Sequence, residues 1–387
     1  MDSQRCVRTG LHYASEERIQ VTWSPDGRID SLLPGEGEEK IWIAPGLIDL
    51  QINGGYGYDL NSLPLTTDTV IQVTRRLWEK GVTLYYPTVI TNGDDEIEQI
   101  LRVIDAACLE DERVGSTIGG VHVEGPFISS EEGPRGAHDS RFIKAPDWGL
   151  FTRWQAASGN RIRILTLSPE WPNAADFIRK CVSSGIVVSI GHTAATPAQI
   201  REAVAAGATM STHLGNGAHL TLPRHPNYIW EQLAQDQLWA GMIADGYHLP
   251  DSVIKVILRA KLTKTLLVSD AVYLSGMPPG EYETHIGGDV ILTPEGRLHL
   301  ARKPELLAGS AMMLLEAVQR LAESGLCSFP EAWDMASMLP AQAMGLADYD
   351  GLKRGARADF VLLEKREGSL RVLETVKGGH SVYRAEG

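Results

Sequence analysis

Eight short apolar runs recur between residues 46 and 272, and helix-length segments separate several of them. The runs are Gly46–Asn53, Val82–Ile90, Ile118–Gly125, Ile162–Ser168, Ile186–His192, Ala208–His213, Trp239–Asp245 and Thr265–Asp270. Helical periodicity marks Asp68–Lys80, Asp94–Leu109, Ala174–Ser184, Pro197–Ala206 and Asp251–Ala260. Thr196 followed by Pro197 reads as an N-cap and a first helical position. Short β-branched runs alternating with helices predict a parallel α/β sheet, and eight repeats favour its closure into a (β/α)8 barrel.

The two ends carry a different pattern. Residues 1–44 alternate polar and apolar about a turn at Ser24-Pro-Asp-Gly27. A hairpin is predicted at Val290–Leu300, turning at Pro294-Glu-Gly296, and further strands at Ala358–Leu363, Leu370–Leu373 and Val376–Tyr383. These segments are assigned to one small β-domain, comprising 1–44, 281–304 and 351–387, beside a barrel of 45–280 and 305–350. Helical stretches at Ala311–Glu323 and Pro330–Gly345 are expected to pack back on the barrel.

Composition narrows the class of protein. With 387 residues, 43% hydrophobic and 22% charged, the chain suits one barrel with a small appendage, or two ordinary globular domains. No apolar stretch approaches the roughly 20 residues that span a bilayer, and Met1–Cys6 lacks the layout of a secretory leader. The expectation is a cytoplasmic protein with no membrane partner. Cys6, Cys108, Cys181 and Cys327 are far apart and read as free thiols. A net charge of −13 argues against nucleic acid, but leaves room for an anionic small molecule in a local basic pocket.

The candidate chemistry lies at the downstream ends of the predicted strands. Glu124, His192, His213 and Asp270 end the third, fifth, sixth and eighth runs. One carboxylate with two imidazoles can hold a divalent metal and leave a position open for water, and a second carboxylate can act as base. In a barrel all strand ends face one mouth, so these distant residues converge. Each residue alone is better explained structurally; the joint pattern is not. His122 shares the strand face of Glu124 and reads as a packed interior histidine. Asn216 and Gly217 follow His213, while Arg224, His225 and His248 supply donor or positive character. Asn53-Gly-Gly-Tyr-Gly57 matches no phosphate-binding loop and reads as a tight turn.

Ala44-Pro-Gly-Leu-Ile-Asp49, Val121-His-Val-Glu-Gly-Pro126, Gly191-His-Thr193, Thr212-His-Leu214, Ile243-Ala-Asp-Gly-Tyr-His248, Val268-Ser-Asp270 and Leu307-Ala-Gly-Ser310 occur in this order. Together with Pro340-Ala341 and Arg357-Ala-Asp-Phe360, the set resembles the N-acetylglucosamine-6-phosphate deacetylases of the amidohydrolase superfamily. The resemblance implies a TIM-like barrel with a small β-sandwich, and Glu124, His192 and His213 as ligands of one divalent metal. Zinc is expected, with iron or another divalent ion as alternatives. It further implies Asp270 as catalytic acid/base, His138 as a catalytic residue that contacts the substrate near its acetyl group, and Ala137 as a substrate contact beside it. Asn216, Gly217, Arg224, His248, Leu307, Ala308 and Gly309 correspond to substrate contacts, with phosphate-side residues able to come from the second subunit of a homodimer.

Three departures from the family pattern stand out. Gln51-Ile-Asn53 replaces the His-x-His of many amidohydrolases, which favours one metal rather than two. Thr212-His-Leu-Gly-Asn-Gly-Ala218 replaces Thr-His-Leu-x-Asn-Ala-Met, and Ser129–Arg135 lengthens the stretch between Glu124 and His138. The expected activity is deacetylation of an N-acetyl amino sugar phosphate, N-acetylglucosamine 6-phosphate first. The alternatives are the same chemistry on an unphosphorylated or different N-acyl substrate, and a non-catalytic sugar-phosphate-binding protein.

Overall fold

The structure, a computed structural model, describes residues 6–284, 288–366 and 368–386. Met1–Arg5, and a few positions in the other two segments assigned to the small β-domain, lie outside the described residues. Eight strands form one parallel sheet in chain order: Leu47–Ile52, Val82–Ile90, Val121–Glu124, Ile162–Leu167, Val187–Ile190, Met210–Ser211, Trp239–Met242 and Thr265–Leu267. The ring closes between its first and last members. Ile52 bridges Ala271 in parallel, and the Asp270 amide donates to the Gln51 carbonyl at 2.9 Å.

Strand alternation divides the side chains into two cores. Ile48, Leu50, Leu84, Tyr86 and Ile164 belong to one buried cluster, which Ala341 and Leu339 of the late helix Met338–Ala343 help to complete. Val121, Val123 and Leu165 instead join the larger cluster that includes the surrounding helices. His122 and Glu124 lie at the alternate positions of the third strand, and both are buried. The sequence thus aims them at the barrel interior without any help from loops.

The five predicted helices form as Thr67–Glu79, Asp94–Glu110, Ala174–Ser183, Pro197–Ala205 and Asp251–Lys261. Thr196 caps its helix with a reciprocal box: its amide donates to Gln199 Oε1 at 2.8 Å and its hydroxyl accepts from the Gln199 amide at 3.4 Å, a motif worth about 1 kcal/mol. Trp148–Ala157 and Tyr228–Ala234 are helices that periodicity did not reveal. The stretch 330–345 is two helices, Phe329–Met335 and Met338–Ala343, parted at Ser337 (φ −141°, ψ −75°).

The termini share a second, seven-stranded sheet. Trp42–Pro45 pairs with Cys6–His12 on one side and Phe360–Arg366 on the other, which ties the start of the chain to its end. Trp23 meets Phe360 edge-on at 5.1 Å, although two strands separate them in the sheet order. The sheet must therefore fold over its own core, in which Val21, Ile29, Ile43 and Val376 are buried. This is consistent with the small sandwich that the family resemblance implies.

One segment differs from the expectation. The described part of 281–304, grouped above with the terminal strands, forms a separate four-stranded sheet of Gly280–Thr284, Gly288–Leu292, Leu298–Leu300 and Lys303–Leu307. Its buried Val290, Leu292 and Leu298 cluster with Leu274, against Val272 and Met277. The sheet thus packs on the chain just after the eighth barrel strand, because a short connection keeps consecutive elements adjacent. Among the described residues no helix is long and apolar enough to cross a membrane, and all four cysteines are free.

Candidate metal centre and its surroundings

Glu124, His192 and His213 are buried and bring one ligand atom each within 4.8 Å of one another. The two imidazole Nε2 atoms face each other at 3.0 Å, and His213 Nε2 lies 3.1 Å from Glu124 Oε1. The tautomer of His192 follows from its other nitrogen. Nδ1 stands 2.8 Å from the Pro134 carbonyl, which can only accept, so Nδ1 carries a hydrogen and the neutral ring has its lone pair on Nε2. Burial penalises the charge on Glu124, but the two imidazoles outweigh this and hold its carboxyl well below its ordinary range. A lone pair, a second imidazole nitrogen and an ionised carboxylate converging out of solvent are the donors a divalent cation requires. The residues fit such an ion, and three protein ligands leave a coordination position open.

Backbone geometry supports a functional reading of the strand ends. His192, His213 and Asp270 adopt φ of 47°, 26° and 45°, a region that costs non-glycine residues energy and clusters at functional sites. The chain turns over at these residues, two or three positions past the ends of their strands.

Gln51 and Asn53, read from sequence only as poor metal ligands, have defined partners. Gln51 Nε2 donates to both Glu124 oxygens at 3.0 Å. Asn53 Nδ2 donates to Asp270 Oδ1 at 2.8 Å. Their spacing at the end of the first strand was the available signal. Burial, with the nearby Glu124 charge adding to it, pushes the Asp270 carboxyl up to about 6.

His138 faces the same cluster, its Nε2 being 3.3 Å from His192 Nε2 and its Nδ1 2.8 Å from Thr91 Oγ1. Burial, reinforced by His192, lowers its pKa to about 3, so the ring is neutral. If Thr91 donates to Nδ1, the Nε2–H points at the cluster as a donor. His122 accounts for both its nitrogens elsewhere, at Leu50 O (3.0 Å) and Thr166 Oγ1 (2.7 Å).

The remaining positions are arranged around this centre. The Asn216 amide donates to the His213 carbonyl at 2.9 Å. A Cβ on Gly217 would stand 2.7 Å from His192 Nδ1, so this loop lies flat on the ligand ring. Ser310 bridges Ala271 in parallel, which sets Leu307, Ala308 and Gly309 beside the end of the eighth strand. His248 Nδ1 meets Asp245 Oδ2 at 2.6 Å. Burial pushes Asp245 up, but its hydrogen bonds from His248 and the Tyr247 amide prevail and hold it below its usual value. Asp245 was not singled out from sequence, although it precedes His248 by three residues. Ala137 is exposed on the loop before His138, and Arg224 and His225 lie on the exposed segment after His219, apart from the buried cluster.

The amidohydrolase family profile matches residues 42–382. The N-acetylglucosamine-6-phosphate deacetylase of Danio rerio is 35% identical over 362 residues, spanning 90% of this chain and 85% of its own. Among solved structures, the deacetylase of that name from Thermotoga maritima is 26% identical and superposes with a TM-score of 0.84 over 97% of this chain and 98% of its own. The Mycobacterium smegmatis one, solved as a mutant in complex with N-acetyl-D-glucosamine-6-phosphate, shares the fold at 24% identity, with a TM-score of 0.85 over 98% of this chain and 99% of its own.

Proposed function

Because this chain belongs to the amidohydrolase family, in its N-acetylglucosamine-6-phosphate deacetylase branch, we propose that it hydrolyses N-acetylglucosamine 6-phosphate to glucosamine 6-phosphate and acetate, with the buried Glu124, His192 and His213 as metal ligands. The observation that carries the reading is that buried trio, with Asp270 and His138 set around it. Two histidines and one carboxylate suit zinc.

A bound divalent ion would polarise the amide carbonyl and acidify water at the open position. The chain's own residues do the rest. His138 donates from Nε2 to the acetyl oxygen as negative charge develops there. Asp270, ionised and oriented by Asn53, accepts the proton of the attacking water. The same carboxyl then returns that proton to the departing amine, which cannot leave as an anion. Asn216 and Gly217 lie along the sugar, and Leu307–Gly309 borders it from the opposite loop. His248, oriented by Asp245, faces the phosphate.

Arg224, exposed and apart from the buried cluster, would reach the phosphate from a second copy of the chain. It sits on an exposed segment flanked by Leu220, 92% exposed, and Trp230, 55% exposed, apolar surface of the kind that partners cover. A homodimer follows from this reading, and its mass in solution tests it. The activity is tested by acetate and free-amine release from N-acetylglucosamine 6-phosphate and N-acetylglucosamine by metal-replete protein. Preference for the phosphate ester supports the proposal. Equal rates remove the phosphate from it, and no release from either would overturn it.

A further inference from the structure

The two loops that depart from the family pattern meet over the centre. Gly133, in the loop after the third strand, lies so close to the loop after the sixth that a Cβ there would stand 2.9 Å from His219 Cα. At this contact His219 Nε2 lies 3.0 Å from Glu131 Oε2. On its other side, the His219 amide donates to Tyr228 Oη at 2.8 Å, and His219 Nδ1 lies 3.0 Å from the same oxygen.

Glu131 Oε2 only accepts, so His219 Nε2 carries a hydrogen and donates it to the carboxylate. Tyr228 Oη accepts the His219 amide N–H and, with a hydrogen of its own and a second lone pair, also bonds Nδ1. Tyr228 is buried, and it opens the helix Tyr228–Ala234, which Asn227 caps by accepting from the Ile229 and Trp230 amides at 3.1 Å each. The chain of bonds therefore runs from a helix fixed in the barrel wall, through His219, to an exposed loop.

Both loops also touch one ring. Pro134, three residues after Glu131, accepts from His192 Nδ1 at 2.8 Å. Gly217, two residues before His219, lies against the same imidazole. We propose that His219 is a positioning residue: held by Tyr228 and bonded to Glu131, it clamps the two mouth loops together over His192 and so seats Asn216 and Gly217 against the amino sugar. The clamp rests on the deacetylase reading above, and it makes His219 and Glu131 determinants of sugar affinity rather than of chemistry.

The test is KM and kcat for N-acetylglucosamine 6-phosphate in the metal-replete Glu131→Ala, His219→Ala and Glu131→Gln variants and the double alanine variant. Loss of one hydrogen-bonded tie should raise KM about fivefold in each alanine variant, with kcat within about twofold. Glu131→Gln keeps an acceptor and should restore KM. The double variant should be no worse than either single one, because both break the same clamp. Unchanged KM in the alanine variants, or multiplying effects in the double variant, would overturn the proposal. Hydrogen exchange reads the clamp without substrate: Glu131→Ala should speed exchange in both 125–147 and 214–227 of the metal-bound protein. Speeding in only one loop, or in neither, also overturns it. A wild-type protein that releases no acetate defeats the deacetylase reading instead, and leaves the exchange result to decide the clamp.

Discussion

Gln51 donates a single amide nitrogen to both carboxylate oxygens of Glu124, 3.0 Å from each. Glu124 accepts on both oxygens from one side, so its plane is set before any ion arrives. Such supporting donors commonly carry about 10–100-fold of a site's metal affinity. Gln51→Leu, which removes the donor at similar size, is expected to weaken metal binding by about that factor. Competition with a chelator measures it; unchanged affinity would mean Glu124 is held by something else.

Asp270→Asn should retain metal and substrate affinity while kcat falls by about 100-fold or more, since the amide cannot carry the proton. Burial and Glu124 push the wild-type carboxyl up to about 6, and a bound cation pulls it down. Because the base must be ionised, activity should decline as pH falls, with a midpoint at or below about 6. A pH profile of kcat/KM settles the sign, and a rate that rises towards acid would remove Asp270 from the role of base.

Gly217 adopts φ +55°, and a Cβ there would stand 2.7 Å from His192 Nδ1. Gly217→Ala, although it restores the residue of the family pattern, should cost about 1 kcal/mol or more through the left-handed backbone and the contact. A lower Tm together with weaker metal retention is expected. A variant as stable as the wild type would show that the loop can lift away freely.

Glu374 joins the two ends of the small domain, accepting from Arg8 Nε at 2.6 Å and from Arg384 Nη2 at 2.8 Å. Burial raises its pKa, but the two guanidinium groups prevail and lower it from 4.5 to about 2. A depressed carboxyl stabilises the fold above its unfolded value, and the contribution is lost as pH falls through the folded one. The Tm deficit of Glu374→Gln relative to wild type should therefore be full near neutrality and shrink between about 4.5 and 2. A deficit that stays constant over that range would count against the ion pairs.

The eight barrel strands were legible because a parallel strand buried on both faces must be apolar, and that leaves its mark on any single sequence. Glu124, His192, His213 and Asp270 stood out for the same reason, each being a polar residue where an apolar run stops. Tyr228–Ala234 was not legible: its start is set by Asn227, a cap that also suits a loop. The placement of 281–304 was hidden too, since a hairpin's alternation shows that it has one buried face and not what covers it.

By itself, then, the sequence determined the barrel, the alternating strands at both termini, and the four strand-end residues, because each is written in local periodicity or in a single position. Only the tertiary structure decided what Gln51 and Asn53 do, that Pro134 sets the tautomer of His192, and that Glu131 and His219 meet. Those relationships join residues 73, 217, 58 and 88 positions apart. Directional hydrogen bonds of about 3 Å between distant loops leave no periodic trace in the chain; they exist only once the barrel has brought its strand ends to one mouth.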